Sequence, residues 1–357
     1  MPQKLDIVQF CKGIAIIMII LTHSHQMFDL PMSMKMLPMF GQMGCQMFFI
    51  LSCFCLCLSY ENNTPSYVSF IFKRVKSISI GYWLTICISL LLAKGSLILT
   101  GSYLFKTSTN PLEVLENIFL VHGIVPVGGD NNSVVRGGWY VGTIFILYLI
   151  FPILYSLHGK LVKKTMFPFL TFLLSFVILV GMYVYNNSFL IERNNFWYFS
   201  FINQLPGFSV GFLLYDWYKN KNSISYPGIK GWSLILMSFA IFFMPSPITF
   251  IILPFLFSLG FYYIFLWLMP AYRAIPITVK RVVRKYGDNS YAIYLIHPYL
   301  AFELSLLVIS LVHISHPILF IEWLPILYLL VLVIGIQYNK LIEKIKNLVF
   351  NRKRIEY

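Results

Sequence analysis

The sequence predicts an all-α protein, a polytopic bundle of about ten transmembrane helices with both termini in the cytoplasm. Of its 357 residues, 58% are hydrophobic and only 11% are charged, far from the composition of a soluble globular domain. Apolar stretches of roughly 20 residues recur along the whole chain, the length that a helix needs to cross a bilayer. Basic residues concentrate in alternate loops between these stretches, as in multi-pass membrane proteins.

Ten apolar segments carry this prediction, each placed to within several residues. They cover residues 8–28, 39–60, 77–95, 139–157, 166–186, 199–217, 231–244, 248–269, 290–312 and 318–337. Pro245 and Pro247 join the short seventh segment to the eighth, so this pair fits either two spans or one broken, re-entrant element. We predict a transmembrane domain over residues 1–340 and a basic cytoplasmic tail over 341–357.

Most basic residues fall in the loops that this topology places in the cytoplasm. Besides Lys4 and the tail, these are Lys73, Arg74, Lys76, Lys160, Lys163, Lys164, Lys219, Lys221, Lys230, Arg273, Lys280, Arg281, Arg284 and Lys285. The outer loops and helix ends hold only Lys35, Lys94, Lys106, Arg136 and Arg193. We therefore attribute the net charge of +14 to basic residues in the cytoplasmic loops, which set the orientation of a membrane protein. With no basic arm and no aromatic RNA-binding motif, the sequence argues against a nucleic-acid partner.

The cysteines lie in predicted membrane segments, without the spacing of a zinc site. We expect free thiols that pack as small hydrophobic residues, and no metal. They are Cys11, Cys45, Cys53, Cys55, Cys57 and Cys87.

The longest outer connection spans about residues 96–138. It contains a short apolar piece around Val114 to Val125 and the stretch GGDNNSVVRGG. Loops of this length usually have a function. Two interpretations stay open, a cap over a site on the outer face and a mobile tether.

Two ionisable residues interrupt the first apolar segment. Lys12 and His23 lie eleven residues apart, so a helix places them on one face, about 16 Å apart along its axis. Ionisable groups inside a membrane are costly and usually face a bundle interior or a wet cavity. The alternative is that Lys12 extends to the cytoplasmic headgroups and His23 is an interfacial polar residue. Histidine suits acyl transfer to an alcohol because it accepts a hydroxyl proton and returns it to a leaving group.

Several motifs in order resemble the bacterial acyltransferase-3 family of integral membrane O-acyltransferases. The opening motif of the family has a basic residue and, after ten intervening positions, a histidine. It is similar to LDIVQFCKGIAIIMIILTH, where Lys12 is the basic residue, His23 is the histidine and Asp6 lies near the start. GCQMFFILSCF matches the second motif at Ser52, and FIFKRVKSISIGYW keeps Arg74. GGWYVGTIFILYLIFPIL and LPGFSVGFLLY match later segments, the first with Trp139 in register. YGDNSYAIYLIHPYL matches the last motif, which ends at His297.

The chain also departs from the family pattern. Cys53 replaces a glycine, while Ser77 and Ile80 stand where arginine and proline are usual. Ile144 occupies a position that is glutamate in many relatives, so any role of that carboxylate is absent or supplied elsewhere.

The resemblance implies transfer of an acyl group, usually acetyl, from cytoplasmic acyl-CoA to a hydroxyl of a cell-surface or lipid-linked glycan. The implied location is the bacterial inner membrane, with no permanently bound cofactor and acetyl-CoA as donor. His23 is the expected general base; Lys12, Arg74 and Ser52 bind or position the donor, while Trp139, His297 and Asp6 line the site.

The chain ends soon after the last predicted helix, so the resemblance is to members without an appended soluble hydrolase-like domain. Either the membrane domain carries out the whole reaction or a separate partner helps. The main rival is a transporter or flippase of a lipid-linked glycan, and a glycan polymerase or ligase is a second. Oligomeric state, acceptor sugar and acyl chain stay open.

Overall fold

The structure is a computed structural model that describes residues 3–63, 65–100, 107–124, 134–185, 196–244, 246–312 and 317–350. These residues form helices joined by short turns, with no β-strand among them. The α-helices are α1 (Gln3–Ser24), α2 (Met32–Phe40), α3 (Gly44–Asn63), α4 (Tyr67–Thr100), α5 (Pro111–Ile118), α6 (Trp139–Lys160), α7 (Phe167–Tyr185), α8 (Phe196–Phe199), α9 (Phe201–Asn220), α10 (Pro227–Phe242), α11 (Pro247–Ala271), α12 (Ile277–Asp288), α13 (Ser290–Tyr299), α14 (Ser305–Val312) and α15 (Pro317–Phe350). The predicted all-α class is confirmed.

Eight helical stretches of the described chain are long and apolar enough to cross a membrane. They are Asp6–Ser24, Met32–Asn62, Tyr67–Gly95, Trp139–Lys160, Lys164–Tyr185, Pro247–Ala274, Ser290–Val312 and Pro317–Phe350. Each overlaps one of the predicted segments. The other two segments correspond to α9, which is more polar, and α10, which is shorter. The protein is therefore a polytopic helical membrane bundle.

Helix α9 carries polar residues because it is surrounded by protein. It packs against α3, α7 and α11, and most of its side chains are buried. Its buried Gln204 accepts a hydrogen bond from the Gln46 amide at 2.7 Å, and Asn203 donates to the Tyr198 carbonyl at 3.0 Å. Such bonds satisfy amides that lipid would leave without partners.

Helices α10 and α11 pack against each other in antiparallel directions, an arrangement that both two spans and a re-entrant element would give. Gly231 of α10 lies against Ile264 of α11, and Gly260 of α11 lies against Ile235 of α10. Pro245 lies outside the described residues.

The structure differs from the sequence prediction in α4, in α15 and in the ninth predicted segment. Helix α4 begins at Tyr67 rather than near residue 77, so Arg74 lies within a helix and not in a loop. Helix α15 continues to Phe350, and the predicted boundary at residues 340 and 341 falls inside it. Buried Tyr338 and Ile342 keep this extension packed against the bundle. The ninth segment is interrupted by a π-helical turn, Leu300–Leu304, which begins two residues after Pro298, whose nitrogen donates no hydrogen bond.

The basic ends of several helices meet at one end of the bundle. Lys12 of α1, Ser77 of α4 and Lys346 of α15 line a common cavity, and Phe72 of α4 contacts Phe350 of α15. This arrangement agrees with the predicted alternation of the loops, so we call this end cytoplasmic and the opposite end outer. Among the predicted basic positions, Lys106, Arg193 and residues 351–357 lie outside the described chain.

The described part of the long outer connection packs onto the bundle. Tyr82 of α4 is fully buried and donates a hydrogen bond to Asn117 of α5 at 2.5 Å. Its ring stacks on His122, whose Nε2 lies 3.1 Å from the Gly138 carbonyl. A Cβ at Gly142 would lie 2.7 Å from the His122 ring, so only glycine permits this approach. The residues on both sides of the undescribed stretch 125–133 are thus held close to the outer end of the bundle, which favours the cap interpretation.

Acidification is expected to loosen this anchored segment. Burial lowers the pKa of His122 from 6.5 to about 4, so the folded segment holds a neutral imidazole at pH 7. The released imidazole binds its proton below about pH 6.5. Stability is therefore lost as the pH falls from about 6.5 to about 4, by up to about 3 kcal/mol. Hydrogen exchange of residues 111–124 at pH 7 and pH 4.5 measures the effect. A His122→Gln variant with the same pH dependence as wild type would contradict it.

Candidate functional site

His23 lines a cavity of about 370 Å³ at the outer end of the bundle. It lies in the last turn of α1 and is partly exposed to this cavity. The other polar or aromatic residues of the wall are Thr22, Gln26, Gln42, Gln46, Arg136, Trp139, Tyr198, Phe199, Tyr294 and Phe302. Two predicted residues, His23 and Trp139, therefore share one site.

Lys12 lines a second cavity, of about 270 Å³, on the cytoplasmic side. Ser52 lies in the same wall, and so does Ile144, the residue at the family's glutamate position. Asn339, Glu343 and Lys346 of α15 form the part of the wall nearest the cytoplasm. Lys12 and His23 thus open into separate cavities rather than into the single cavity that their common helical stripe suggests.

Tyr294 of α13 lines both cavities and lies between them. Its hydroxyl donates a hydrogen bond to the Gly137 carbonyl, and its ring lies 5.3 Å from the ring of Tyr140. Tyr140 belongs to the inner cavity and its neighbour Trp139 to the outer one. This aromatic partition is the boundary between the two spaces.

The His23 ring is surrounded by three contacts. The Gln26 side chain is within hydrogen-bonding reach of it, and the Phe302 ring packs edge-on at 5.4 Å. The His297 ring lies 5.1 Å away. Two residues further along the chain, His25 is buried outside the cavity, and burial lowers its pKa, so that this neighbour stays uncharged at pH 7.

The hydrogen bonds of His297 define which of its nitrogens carries the proton. Nδ1 lies 2.7 Å from the Tyr294 carbonyl oxygen, so Nδ1–H donates and Nε2 keeps a free lone pair. The residue is fully buried, and both its Nε2 and the Nδ1 of His23 have no hydrogen-bond partner among the described residues. The neighbouring rings of His23 and His297 thus each hold one buried nitrogen that has no hydrogen-bond partner in the described chain.

Ser52 and Arg74 lie close to a pair of phenols on α6. The Ser52 hydroxyl lies beside the phenols of Tyr140 and Tyr148, which both line the inner cavity. Arg74 interacts electrostatically with Tyr148, while its guanidinium carbon lies 5.6 Å from the centre of the Phe70 ring. Arg74 is therefore placed beside the inner cavity rather than in its wall.

A π-helical turn shapes the outer cavity next to His23. It contains Phe302, which packs on His23, and Glu303, whose carboxylate lies 3.1 Å from Arg136. Arg136 also lies 4.1 Å above the Phe302 ring. Such turns often occur at functional sites. The pattern of the sequence alone did not indicate this turn or the pairing of Arg136 with Glu303.

Asp6 lies away from the other predicted site residues. Its carboxylate is 3.0 Å from Arg284 of α12, in a third cavity on the cytoplasmic face. The structure therefore brings together Lys12, Ser52 and, nearby, Arg74 in one space and His23, Trp139 and His297 around another, with Asp6 in neither.

A group of side-chain amides in the outer cavity was missed by sequence reasoning. Gln42 donates to the Tyr198 hydroxyl at 3.2 Å, and Gln46 donates to Gln204. Their signal in the sequence was glutamines within otherwise apolar segments, which are expensive in a membrane unless they are bonded inside the protein.

Comparison with known proteins agrees with this architecture. The family model described as an acyltransferase domain, Acyl_transf_3, matches residues 5–337, nearly the whole chain. Searches of curated proteins and of solved structures returned no match. The match covers the helices that carry His23, Lys12, Ser52, Arg74 and His297. The chain therefore belongs to the acyltransferase-3 family and is a multi-pass membrane acyltransferase.

Proposed function

We propose that the protein is an O-acetyltransferase of the bacterial cytoplasmic membrane, which moves acetyl from cytoplasmic acetyl-CoA to a hydroxyl of a cell-surface or lipid-linked glycan. One observation carries the proposal. A cytoplasmic cavity with a lysine and an outer cavity with a histidine meet at a single aromatic residue, Tyr294. Donor and acceptor approach from opposite faces and react where the cavities meet.

The inner cavity suits the acyl donor. Lys12 offers a positive charge to a carbonyl or phosphate oxygen of the coenzyme, and Ser52 presents a hydroxyl beside two phenols. Arg74 adds positive potential beside the wall. The rest of the wall combines aromatic and apolar side chains, which suit the pantetheine arm, with the polar residues Ser77, Ser290, Asn339, Glu343 and Lys346.

The outer cavity suits an acceptor rich in hydroxyl groups. Gln42, Gln46 and the Tyr198 hydroxyl offer both donors and acceptors of hydrogen bonds. Trp139 adds an aromatic face beside them. Arg136 lies in the same wall, with its charge balanced by Glu303.

The reaction requires one proton carrier. His23 takes the proton of the acceptor hydroxyl as its oxygen attacks the thioester carbonyl. The carbon–sulfur bond then breaks, and the imidazolium returns the proton to the departing thiolate. The products are the acetyl ester and free coenzyme A, and His23 is regenerated. Proton transfer of this kind is typically worth about 10²- to 10⁴-fold in rate.

His297 is the positioning residue for this base. Its Nδ1–H is held by the Tyr294 carbonyl, so its Nε2 accepts a proton donor. In the proposed arrangement the His23 ring turns its Nδ1–H toward that lone pair, which leaves the His23 Nε2 lone pair for the acceptor hydroxyl. The orienting partner is thus a neutral imidazole in place of the carboxylate of a Ser-His-Asp triad.

Labelled acetyl transfer tests the proposal. Membranes containing the protein are incubated with acetyl-labelled coenzyme A, and alkali-labile label on glycan is measured against membranes lacking the protein. We expect label only where the protein is present. Loss of the glycan itself without the protein, with no dependence on acetyl-CoA, would support the transporter or flippase instead.

Removing the charge of Lys12 is expected to weaken donor binding. Lys12→Met keeps the length of the side chain, and the KM for acetyl-CoA is expected to rise about 10-fold, because a charged hydrogen bond is lost. Lys12→Arg, which keeps the charge, is the matched control. Initial rates over a range of acetyl-CoA concentrations give both constants, and an unchanged KM in Lys12→Met would contradict the assignment.

A further inference from the structure

A third cavity, at the cytoplasmic end, is separate from both parts of the proposed site. It measures about 650 Å³ and lies between the start of α1, the end of α11 and one face of α12. Arg273, Lys280, Arg281, Arg284 and Lys285 line it, against only two acids, Asp6 and Asp288. The site is therefore strongly positive.

Some of these cations build the cavity and others are free to bind. Arg284 is paired with Asp6, and Lys280 donates to the Arg273 carbonyl at 3.1 Å while its ammonium lies 4.9 Å from the Tyr272 ring centre. In the described chain, the side chains of Arg281 and Lys285 make no ion pair or hydrogen bond, and both are exposed. Two exposed cations without an ion-pair partner in the described chain thus line the cavity next to cations that are already paired.

The helix that carries these cations is rigidly attached. A Cβ at Gly287 of α12 would lie 1.8 Å from the Gln9 carbonyl, and one at Gly13 of α1 would lie 2.0 Å from the Val283 carbonyl. The two backbones are therefore in direct contact, and α12 cannot move away without losing this packing. The cationic face is thus held in place before any ligand arrives.

Membrane topology alone does not explain the arrangement. The positive-inside bias requires basic residues somewhere in the cytoplasmic loops and is satisfied by cations that point into water. Here they converge on one space, at successive positions of a single helical face. Ile7, Met269 and Ile277 add an apolar wall to the same space.

From this geometry we infer a binding site for a phosphate group on a partly apolar molecule. Lysine and arginine bind phosphate through charge-assisted hydrogen bonds, and the apolar wall contacts the part of the ligand next to the phosphate. Two sources carry this chemistry at the cytoplasmic face, the nucleotide end of coenzyme A and the headgroup of an anionic phospholipid. If the ligand is coenzyme A, the inference rests on the proposed acetyl transfer; if the ligand is a phospholipid, it does not.

Thermal unfolding of the purified protein in phosphatidylcholine nanodiscs distinguishes the sources. The probes are coenzyme A, adenosine as a phosphate-free control, and nanodiscs that contain phosphatidylglycerol. At least one phosphate-bearing probe is expected to raise the Tm by several degrees, and adenosine is not. A rise with coenzyme A assigns the nucleotide, and a rise with phosphatidylglycerol assigns the lipid headgroup.

Substitutions in α12 test whether the ligand binds in this cavity. Arg281→Gln with Lys285→Gln is expected to weaken binding about 10-fold, because two charge contacts are lost, whereas Arg281→Lys retains it. Lys163→Gln with Lys164→Gln removes the same charge from another exposed cytoplasmic turn and is expected to bind like wild type. No shift with either phosphate-bearing probe, or equal losses in the two double variants, would overturn the inference.

Discussion

Replacing His23 with alanine is expected to reduce acetyl transfer by about 10²- to 10⁴-fold. The side chain ends in the outer cavity, next to the partition that separates it from the donor cavity. Because Lys12 and Ser52 line the other cavity, the KM for acetyl-CoA is expected to change little. Rates of labelled ester formation in reconstituted vesicles, normalised to the amount of folded protein, measure both constants.

His25 supplies a matched control for this experiment. It is the same residue type two positions along the chain, and it is buried outside the cavity. A His25→Gln variant is expected to keep most of the transfer activity. Full activity in His23→Ala, or equal losses in the two variants, would remove His23 from the role of general base.

The second large effect is expected at His297. In His297→Asn the side-chain amide still reaches the Tyr294 carbonyl in place of Nδ1–H, but the Nε2 acceptor is lost. Without it the His23 ring is no longer held in the reactive tautomer, and kcat is expected to fall about 10- to 100-fold while the KM for acetyl-CoA stays near its original value. Steady-state kinetics of purified protein separate the two constants.

A glutamine at the same position distinguishes positioning from packing. The amide oxygen of His297→Gln reaches the place of Nε2 and accepts a hydrogen bond, so partial recovery of kcat relative to His297→Asn is expected. If the residue only fills space between α1 and α13, both variants lose stability and activity together. Equal kcat values in the two variants would therefore rule out the positioning role.

Hydropathy was sufficient to find the membrane segments, and physical reasons explain what it missed. Apolar length reports where a chain crosses lipid, but a helix also continues into water when its neighbours support it, as α4 does before residue 77 and α15 does as far as Phe350. Helix α12 resembled a charged loop in the sequence because it is short and strongly basic. It is amphipathic and packs against α1, but a search for long apolar segments does not detect a helix of this kind.

The candidate site was only partly predictable, because cavities are formed by helices distant in sequence. The spacing of Lys12 and His23 correctly placed both inside the bundle, but Tyr294, from the other end of the chain, divides the space between them. Likewise Asp6 is engaged by Arg284 rather than by the site. The contact of His23 with His297 joins residues from the first and ninth predicted segments, and only packing determines it.

The most direct test of transfer across the membrane is the sidedness of the donor. Sealed inverted vesicles, which expose the cytoplasmic face, and right-side-out vesicles from the same cells are each given acetyl-labelled coenzyme A in the outer medium. Inverted vesicles are expected to accumulate alkali-labile label on glycan in their interior, and right-side-out vesicles are expected to remain unlabelled. Labelling of right-side-out vesicles alone would contradict a donor site at Lys12 and an acceptor site at His23.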